Sequence, residues 1–233
     1  VNAELLIDRA WGWEPTTIAD IREYKPSSNS MSVGQVLHCS YDYEKAKFIV
    51  KEMIDQHALD LFAKGLVTDQ LVLDIGYDIE NLTDPERSSK YRGEVTTDHY
   101  GRKVPKHAHG TVNLQKKTSS SRVITQAVVD LYDRIVDRNL LIRCINIAAC
   151  KLTLESDVKD DAVVEQLSLF DDPEELQRKK EAENAALARE RRMQKAVVEI
   201  KARYGKNAIL KGMNLQEGAT AKDRNAQVGG HKA

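Results

Sequence analysis

The sequence predicts an α+β fold in which one β-sheet carries two helices on one of its faces. Segments 42–64 and 121–138 repeat apolar residues at helical spacing, and segment 71–77 alternates apolar with polar residues. With the remaining strand-like segments, the order is β-α-β-β-α-β. Because each helix has one apolar stripe and the strands have one polar face, we expect a sheet covered on one side and open on the other.

Composition sets outer limits on function. The 233 residues suit one or two domains, and a net charge of −1 gives no global argument for nucleic-acid binding, so local charge must decide. Cys39, Cys144 and Cys150 form an odd set without CxxC spacing, which predicts neither a disulfide framework nor a zinc site. The sequence contains no secretory signal and no apolar run of membrane length, and we expect a cytoplasmic protein.

The first 25 residues have too little apolar surface to fold alone. Trp11 and Trp13 flank a turn at Gly12, and the chain begins at Val1 as if in the middle of a domain, so we expect a C-terminal fragment. Residues 25–32 are typical of a linker, and the first strand follows, with apolar positions at Met31, Val33 and Leu37.

The central elements follow from periodicity. Helix 42–64 is capped by Gly65, and its apolar stripe comprises Ala46, Ile49, Val50, Met53, His57 and Leu61. The strand after it places Leu71, Leu73, Ile75 and Tyr77 on one side. A polar excursion over 79–108 leads to a strand at 110–117. Helix 121–138 has possible N-caps from Thr118 to Ser121, and 140–152 is apolar enough for a central strand. We expect residues 26–155 to fold independently.

Beyond residue 155 the composition changes. Residues 156–172 form an acidic tether, and Asp172-Pro173 starts a charged helix over 173–204 that ends at Gly205. Residues 205–233 have few apolar anchors, so we predict a flexible tail after the helix.

Basic residues are concentrated between the second strand and the second helix. Lys116 and Lys117 precede the hydroxyls and free amides of a helix N-terminus, a setting that suits phosphate. We predict DNA contacts there, on the third strand, in the polar excursion and at the serines of the first strand. The predicted DNA-binding residues are Ser28, Ser30, Ser32, Arg92, Arg102, Lys103, Lys106, Thr111, Asn113, Lys116, Lys117, Ser120 and Arg122. The alternative is a solvated loop with a charged helix start.

The segment Gln166-Leu167-Ser168-Leu169-Phe170 places large apolar residues in a polar, acidic stretch. Burying each such side chain against a partner gains roughly 1.5–3 kcal/mol. The segment resembles the pentapeptide by which bacterial DNA polymerases and repair proteins bind the β sliding clamp. That resemblance assigns clamp contacts to Gln166, Leu167, Leu169 and Phe170. The alternative is a short hydrophobic turn packed on its own domain.

The chain shows no pattern for catalysis. A two-metal polymerase site needs clustered carboxylates, whereas Asp74 stands alone on its predicted strand face. His99, His107 and His109 share one loop, where solvated or phosphate-facing histidines are more common than metal ligands. We therefore predict no catalytic residues, no metal site and no cofactor in this chain, and no nucleotide incorporation by the chain alone.

Residues 25–37, a serine-rich segment followed by Gly34 and apolar residues, resemble the start of the little finger of Y-family, UmuC/DinB-like translesion DNA polymerases. The later helices and strands follow that domain in the same order. The resemblance implies a four-stranded, mainly antiparallel sheet with two helices on one face, after the end of a thumb in residues 1–25. The segment 205–233 resembles tails of UmuC-like proteins from Gram-positive bacteria and mobile elements.

The resemblance also implies partners and a process. It suggests binding to damaged primer–template duplex and to the bacterial β sliding clamp, error-prone synthesis in the SOS response, and, as an open possibility, contact with a recombinase filament. The parent polymerase would use Mg²⁺, but the family's palm and fingers are missing here. Two other hypotheses stay open: an adaptor that binds the clamp without binding DNA, and an independent enzyme built on the histidine loop.

Overall fold

The computed structural model describes residues 3–24, 29–98, 100–158, 173–228 and 231–232. Among these residues, no helix combines the length and the apolar character needed to cross a membrane. The first described segment forms two short helices, α1 (Ala3–Ala10) and α2 (Ile18–Glu23). They bury little: Trp11 is 86% exposed, and α2 has no buried residue.

The central part of the chain contains seven strands and four helices. In chain order they are β1 (Met31–Tyr41), α3 (Tyr43–Ala63), β2 (Leu66–Tyr77), α4 (Glu80–Thr83), α5 (Pro85–Lys90), β3 (Val95–Thr97), β4 (Lys103–Pro105), β5 (Ala108–Thr118), α6 (Ser121–Ile135), β6 (Ile142–Cys150) and β7 (Thr153–Leu154). A single 3-10 turn, Glu155–Asp157, follows β7.

The main sheet is antiparallel, with the order β1-β6-β2-β5, and β7 pairs with the start of β2. The predicted α+β class is confirmed. The sheet has five strands rather than the four we expected, because Thr153 and Leu154 pair with Val67 and Leu66. A strand of two residues is too short to show an alternating pattern in the sequence.

The core lies between the sheet and the helices α3 and α6. Strand residues Leu73 and Ile147 and helix residues Ile49, Ile124 and Leu131 are at most 1% exposed. The helices begin where side chains cap them: Asp42 accepts a hydrogen bond from the Lys45 amide, and Ser120 accepts one from the Val123 amide. All six residues of the predicted α3 stripe are buried.

The second long helix ends earlier than we predicted. The backbone of Val136 is extended, so α6 stops at Ile135 rather than at 138. The Asp137 amide instead donates to the Tyr77 hydroxyl across 3.0 Å. A tertiary hydrogen bond of this kind has no local sequence pattern.

The C-terminal region forms α7 (Pro173–Tyr204), a 3-10 turn at Gly212–Leu215, α8 (Ala221–Asn225), and the short strands β8 (Gln227–Val228) and β9 (His231–Lys232). Residues after α7 pack on α3 through polar contacts. Glu52, only 1% exposed, accepts from the Asn214 side chain at 2.7 Å and from the Thr220 amide at 2.9 Å. The flexible tail that we predicted is therefore not confirmed over 205–228.

Candidate nucleic-acid interface

The face of the sheet opposite α3 and α6 is open and mostly polar. Strand alternation places Ser32 of β1, Thr111 and Asn113 of β5, and Asn146 of β6 on this face, and all four are exposed. The side-chain amide of Gln70 in β2 donates to the side-chain oxygen Oδ1 of Asn113 across 2.9 Å. Three predicted DNA-binding residues, Ser32, Thr111 and Asn113, thus share one accessible surface.

An open groove lies at one end of this face, where β5 ends. It is lined by Asn29, Ser30, Gln70, Lys117, Cys150, Lys151, Leu152 and Thr153. The Lys117 ammonium donates to the Thr153 hydroxyl across 2.6 Å, and Lys116 is exposed beside it in sequence. The predicted residues Ser30, Lys116 and Lys117 therefore lie at the same end of the sheet.

Sequence reasoning missed Lys151 at this groove. It follows β6 directly, is exposed, and has a φ of 52°, the only positive φ of a non-glycine residue in the described part of the chain. Such a turn redirects the chain at the strand end and brings a second lysine, beside Lys117, to the groove. The apolar run 140–152 contained no pattern that could have indicated this turn.

Four other predicted cations, Arg92, Arg102, Lys103 and Lys106, lie near the opposite end of β5, whereas Arg122 follows Lys117 at the start of α6. This 11-residue strand rises about 3.4 Å per residue, which separates its two ends by roughly 30 Å. The β3–β4 hairpin presents Lys103 as an exposed residue, and Lys106 follows β4. The continuous basic run in the sequence thus forms two separate groups in space.

Acidic neighbours hold two cations of the hairpin group. The Arg102 guanidinium contacts the Asp98 carboxylate at 2.7 Å, and the Lys106 ammonium contacts the Glu94 carboxylate at 2.7 Å. The hydrogen bond to Glu94 and its charge raise the pKa of Lys106. Arg92 is exposed and donates to the Tyr91 carbonyl at 2.9 Å. Phosphate contact by Arg102 or Lys106 must therefore compete with an existing ion pair.

Two histidines flank the Asp74 carboxylate on the polar strand face. The Nδ1 atom of His107 lies 3.1 Å from one Asp74 oxygen, and that of His109 lies 3.5 Å from the other. No group of three His, Cys, Asp or Glu side chains that could hold a metal ion is found among the described residues, which leave out His99. Each oxygen of the Asp74 carboxylate therefore faces one imidazole ring.

The N-terminus of α6 contacts a carboxylate of α7. Ser120 is 7% exposed, and its hydroxyl donates to the Glu190 carboxylate of α7 across 2.6 Å. The Arg122 amide donates to the other oxygen of that carboxylate across 2.9 Å, whereas the Arg122 side chain is exposed. The contact between Ser120 and DNA stays a prediction, and in this structure a carboxylate from a distant helix occupies the anion position.

Two sets of predicted residues lie outside the described part of the chain. These are Ser28 and the pentapeptide residues Gln166, Leu167, Leu169 and Phe170. The α7 helix begins three residues after Phe170, and its side chains from Gln177 to Ala186 are exposed. These side chains of α7 are therefore not buried against the domain, whereas Glu190 further along the helix contacts α6.

No protein-family model matches the chain, and no curated protein matches it either.

Proposed function

We propose that this chain is the DNA-binding and clamp-tethering C-terminal region of a Y-family translesion DNA polymerase. The observation that carries the proposal is the open polar face of an antiparallel sheet, with Lys116, Lys117 and Lys151 at one end and the Lys103 hairpin at the other. Serine, threonine and asparagine side chains between the two groups supply neutral hydrogen bonds to phosphate and sugar.

Such a surface suits the backbone of a duplex. Lysine contacts with phosphate give affinity that does not depend on sequence and falls as salt rises, because bound counterions are released. No Phe, Tyr or Trp lies among the open-face positions of β1, β2, β5 and β6, so the face offers no stacking platform for unpaired bases. These features favour a duplex held by its phosphates over a single strand.

The clamp part of the proposal rests on the motif from Gln166 to Phe170. Tethering to a clamp raises the local concentration of a polymerase at the primer end, so that modest affinity of the peptide is sufficient. Within the proposal, the palm of the parent cytoplasmic polymerase and its Mg²⁺ ions carry out nucleotide addition in the SOS response. This chain binds the duplex and tethers the polymerase to the clamp.

The test is fluorescence anisotropy of a labelled duplex over a range of salt concentrations. Alanine at both Lys116 and Lys117 should weaken binding to different sequences alike, and it should reduce the salt slope by roughly 0.9 for each phosphate that the variant no longer binds. The matched control replaces Lys45 and Arg134 by alanine, which removes the same charge from exposed positions on the helix layer.

The control should leave the salt slope unchanged. Equal slopes for the wild type and the Lys116/Lys117 variant would overturn the DNA contacts assigned here. Absence of any salt-dependent duplex binding would favour the adaptor hypothesis, in which only the clamp motif acts.

A further inference from the structure

The contact between α7 and α6 has the chemistry of a bound anion. The Glu190 carboxylate receives one hydrogen bond from the Ser120 hydroxyl and one from the Arg122 amide, at the N-terminus of a 15-residue helix. Phosphate oxygens accept hydrogen bonds from the same donors in the same geometry, and the helix dipole favours either anion. Glu190 thus occupies a position that a DNA phosphate could take.

The rest of this contact is also polar. The Gln194 side chain donates to the Ser119 carbonyl at 3.0 Å and contacts the Ser121 hydroxyl at 3.1 Å. Arg191 pairs with Glu155 and lies 5.9 Å from the Phe62 ring centre. Ser119, Ser120 and Gln194 are buried at this contact, whereas the neighbouring Met193 is 59% exposed. A hydrogen bond within a protein contributes little net free energy, because the same groups otherwise bond to water, so a phosphate that takes over the Ser120 and Arg122 donors can replace Glu190.

We propose that α7 is an intramolecular competitor of DNA: its Glu190 carboxylate fills the phosphate subsite at the start of α6, and the duplex binds fully at this end only when α7 is displaced. The inference rests on the proposed DNA-binding function. The inference adds a regulatory element to the proposed function, because α7 closely follows the proposed clamp-binding pentapeptide, residues 166–170, in the sequence. A partner that holds the first half of α7 would then change the affinity for DNA.

The size of the effect follows from the docked population. The apparent dissociation constant equals the intrinsic one divided by the competent fraction, so about 90% docking corresponds to a loss of about tenfold in affinity. Variants that weaken docking should recover this loss. Variants that only change the charge of α7 elsewhere should not.

The experiment uses the full chain and the same labelled duplex in anisotropy titrations. Glu190→Gln removes the competing anion and should tighten binding severalfold. Gln194→Ala loosens the same contact without any change of charge, and it should tighten binding in the same direction. Glu183→Gln removes an equal charge from an exposed position on the same helix, away from α6, and should have little effect.

Circular dichroism and thermal melting establish that each variant is folded. Equal affinities for the wild type, Glu190→Gln and Gln194→Ala would overturn the inference while leaving the proposed function intact. An equal gain from Glu183→Gln would also overturn it, since general charge would then explain the change. Absence of duplex binding by all four proteins would overturn the proposed function and the inference together.

Discussion

At the scale of single residues, Gly110 of β5 lies directly against two side chains of α6. A Cβ atom at this position would lie 2.9 Å from a Leu131 methyl group and 3.1 Å from Ile135. Leu131 is 1% exposed and fills the space above the glycine. A methyl group added at Gly110 would therefore occupy space that a smaller side chain at position 131 leaves empty.

Replacing Leu131 by alanine should cost about 2–5 kcal/mol of unfolding free energy, because it leaves a cavity in the core. Replacing Gly110 by alanine should cost about 1–3 kcal/mol through overpacking. Urea unfolding of both single variants and of the double variant measures the coupling between the sites. We expect the double variant to lose less than the sum of the single losses, since the new methyl group enters the new cavity. Strict additivity would show that the two side chains do not share that space.

His57 makes stability depend on pH. It is 3% exposed, and burial lowers the pKa of its imidazole, although a hydrogen bond to the Met31 carbonyl acts in the opposite direction. In the unfolded chain a histidine has a pKa of about 6.5, so below that pH the unfolded state binds a proton that the folded state resists. The contribution of His57 to stability is therefore present above this pH and is lost as the pH falls below it.

Urea unfolding at about pH 7.5 and about pH 5.5 should show this loss in the wild type. In His57→Gln the amide can still donate to the Met31 carbonyl but does not titrate, so its stability should fall less between the two pH values. An identical fall in both proteins would assign the pH dependence to other groups.

At the scale of elements, the first half of α7 lies in the sequence between the pentapeptide 166–170 and Glu190, which contacts α6. From Pro173 to Glu190 the helix extends over about 25 Å at about 1.5 Å per residue. If the motif binds as an extended peptide, affinity should come from a few side chains of that peptide rather than from the domain surface. The spacing between motif and sheet would then allow a clamp and a duplex to be bound by the same chain.

Calorimetry of the bacterial β sliding clamp tests the motif. Alanine at Leu169 or at Phe170 should each cost at least about 2 kcal/mol, which is more than tenfold in affinity. Ser168→Ala is the matched control within the motif and should change little, because the intervening side chain of an extended ligand points to solvent. Equal affinities for the wild type and the Leu169/Phe170 double alanine would indicate a turn that packs on its own domain.

At the scale of the whole molecule, two groups of lysines stand roughly 30 Å apart along β5. Duplex DNA advances about 3.4 Å per base pair, so the two groups span roughly nine base pairs. Anisotropy with duplexes of about 8 and about 14 base pairs should therefore give a steeper salt slope for the longer one, as it reaches both groups. Lys103→Ala should reduce this difference. Equal slopes for both lengths would mean that only one group contacts DNA.

The buried faces of helices and strands could be predicted from the sequence wherever apolar residues recur at a regular spacing. The stripe of α3 and the alternation from Leu71 to Tyr77 identified the core faces correctly, because burial imposes a period on neighbouring residues. The contact between Ser120 and Glu190 could not be predicted in this way. It joins residues 70 positions apart through one hydrogen bond and leaves no periodic pattern in the sequence. The same reason explains the missed packing of Asn214 and Thr220 on Glu52.

The strand order also has a consequence for how the chain folds. β6 is the last long strand to be made, yet it lies between β1 and β2, the first two. Met31 pairs with Ala149, so the sheet closes only after nearly the whole domain has left the ribosome. Until then β1 lacks its only partner in the main sheet. Pairing across such long separations slows folding towards the millisecond-to-second range. During synthesis, the nascent domain would expose two unpaired strand edges for as long as Cys150 remains in the exit tunnel, and chaperones would have their longest opportunity to bind then.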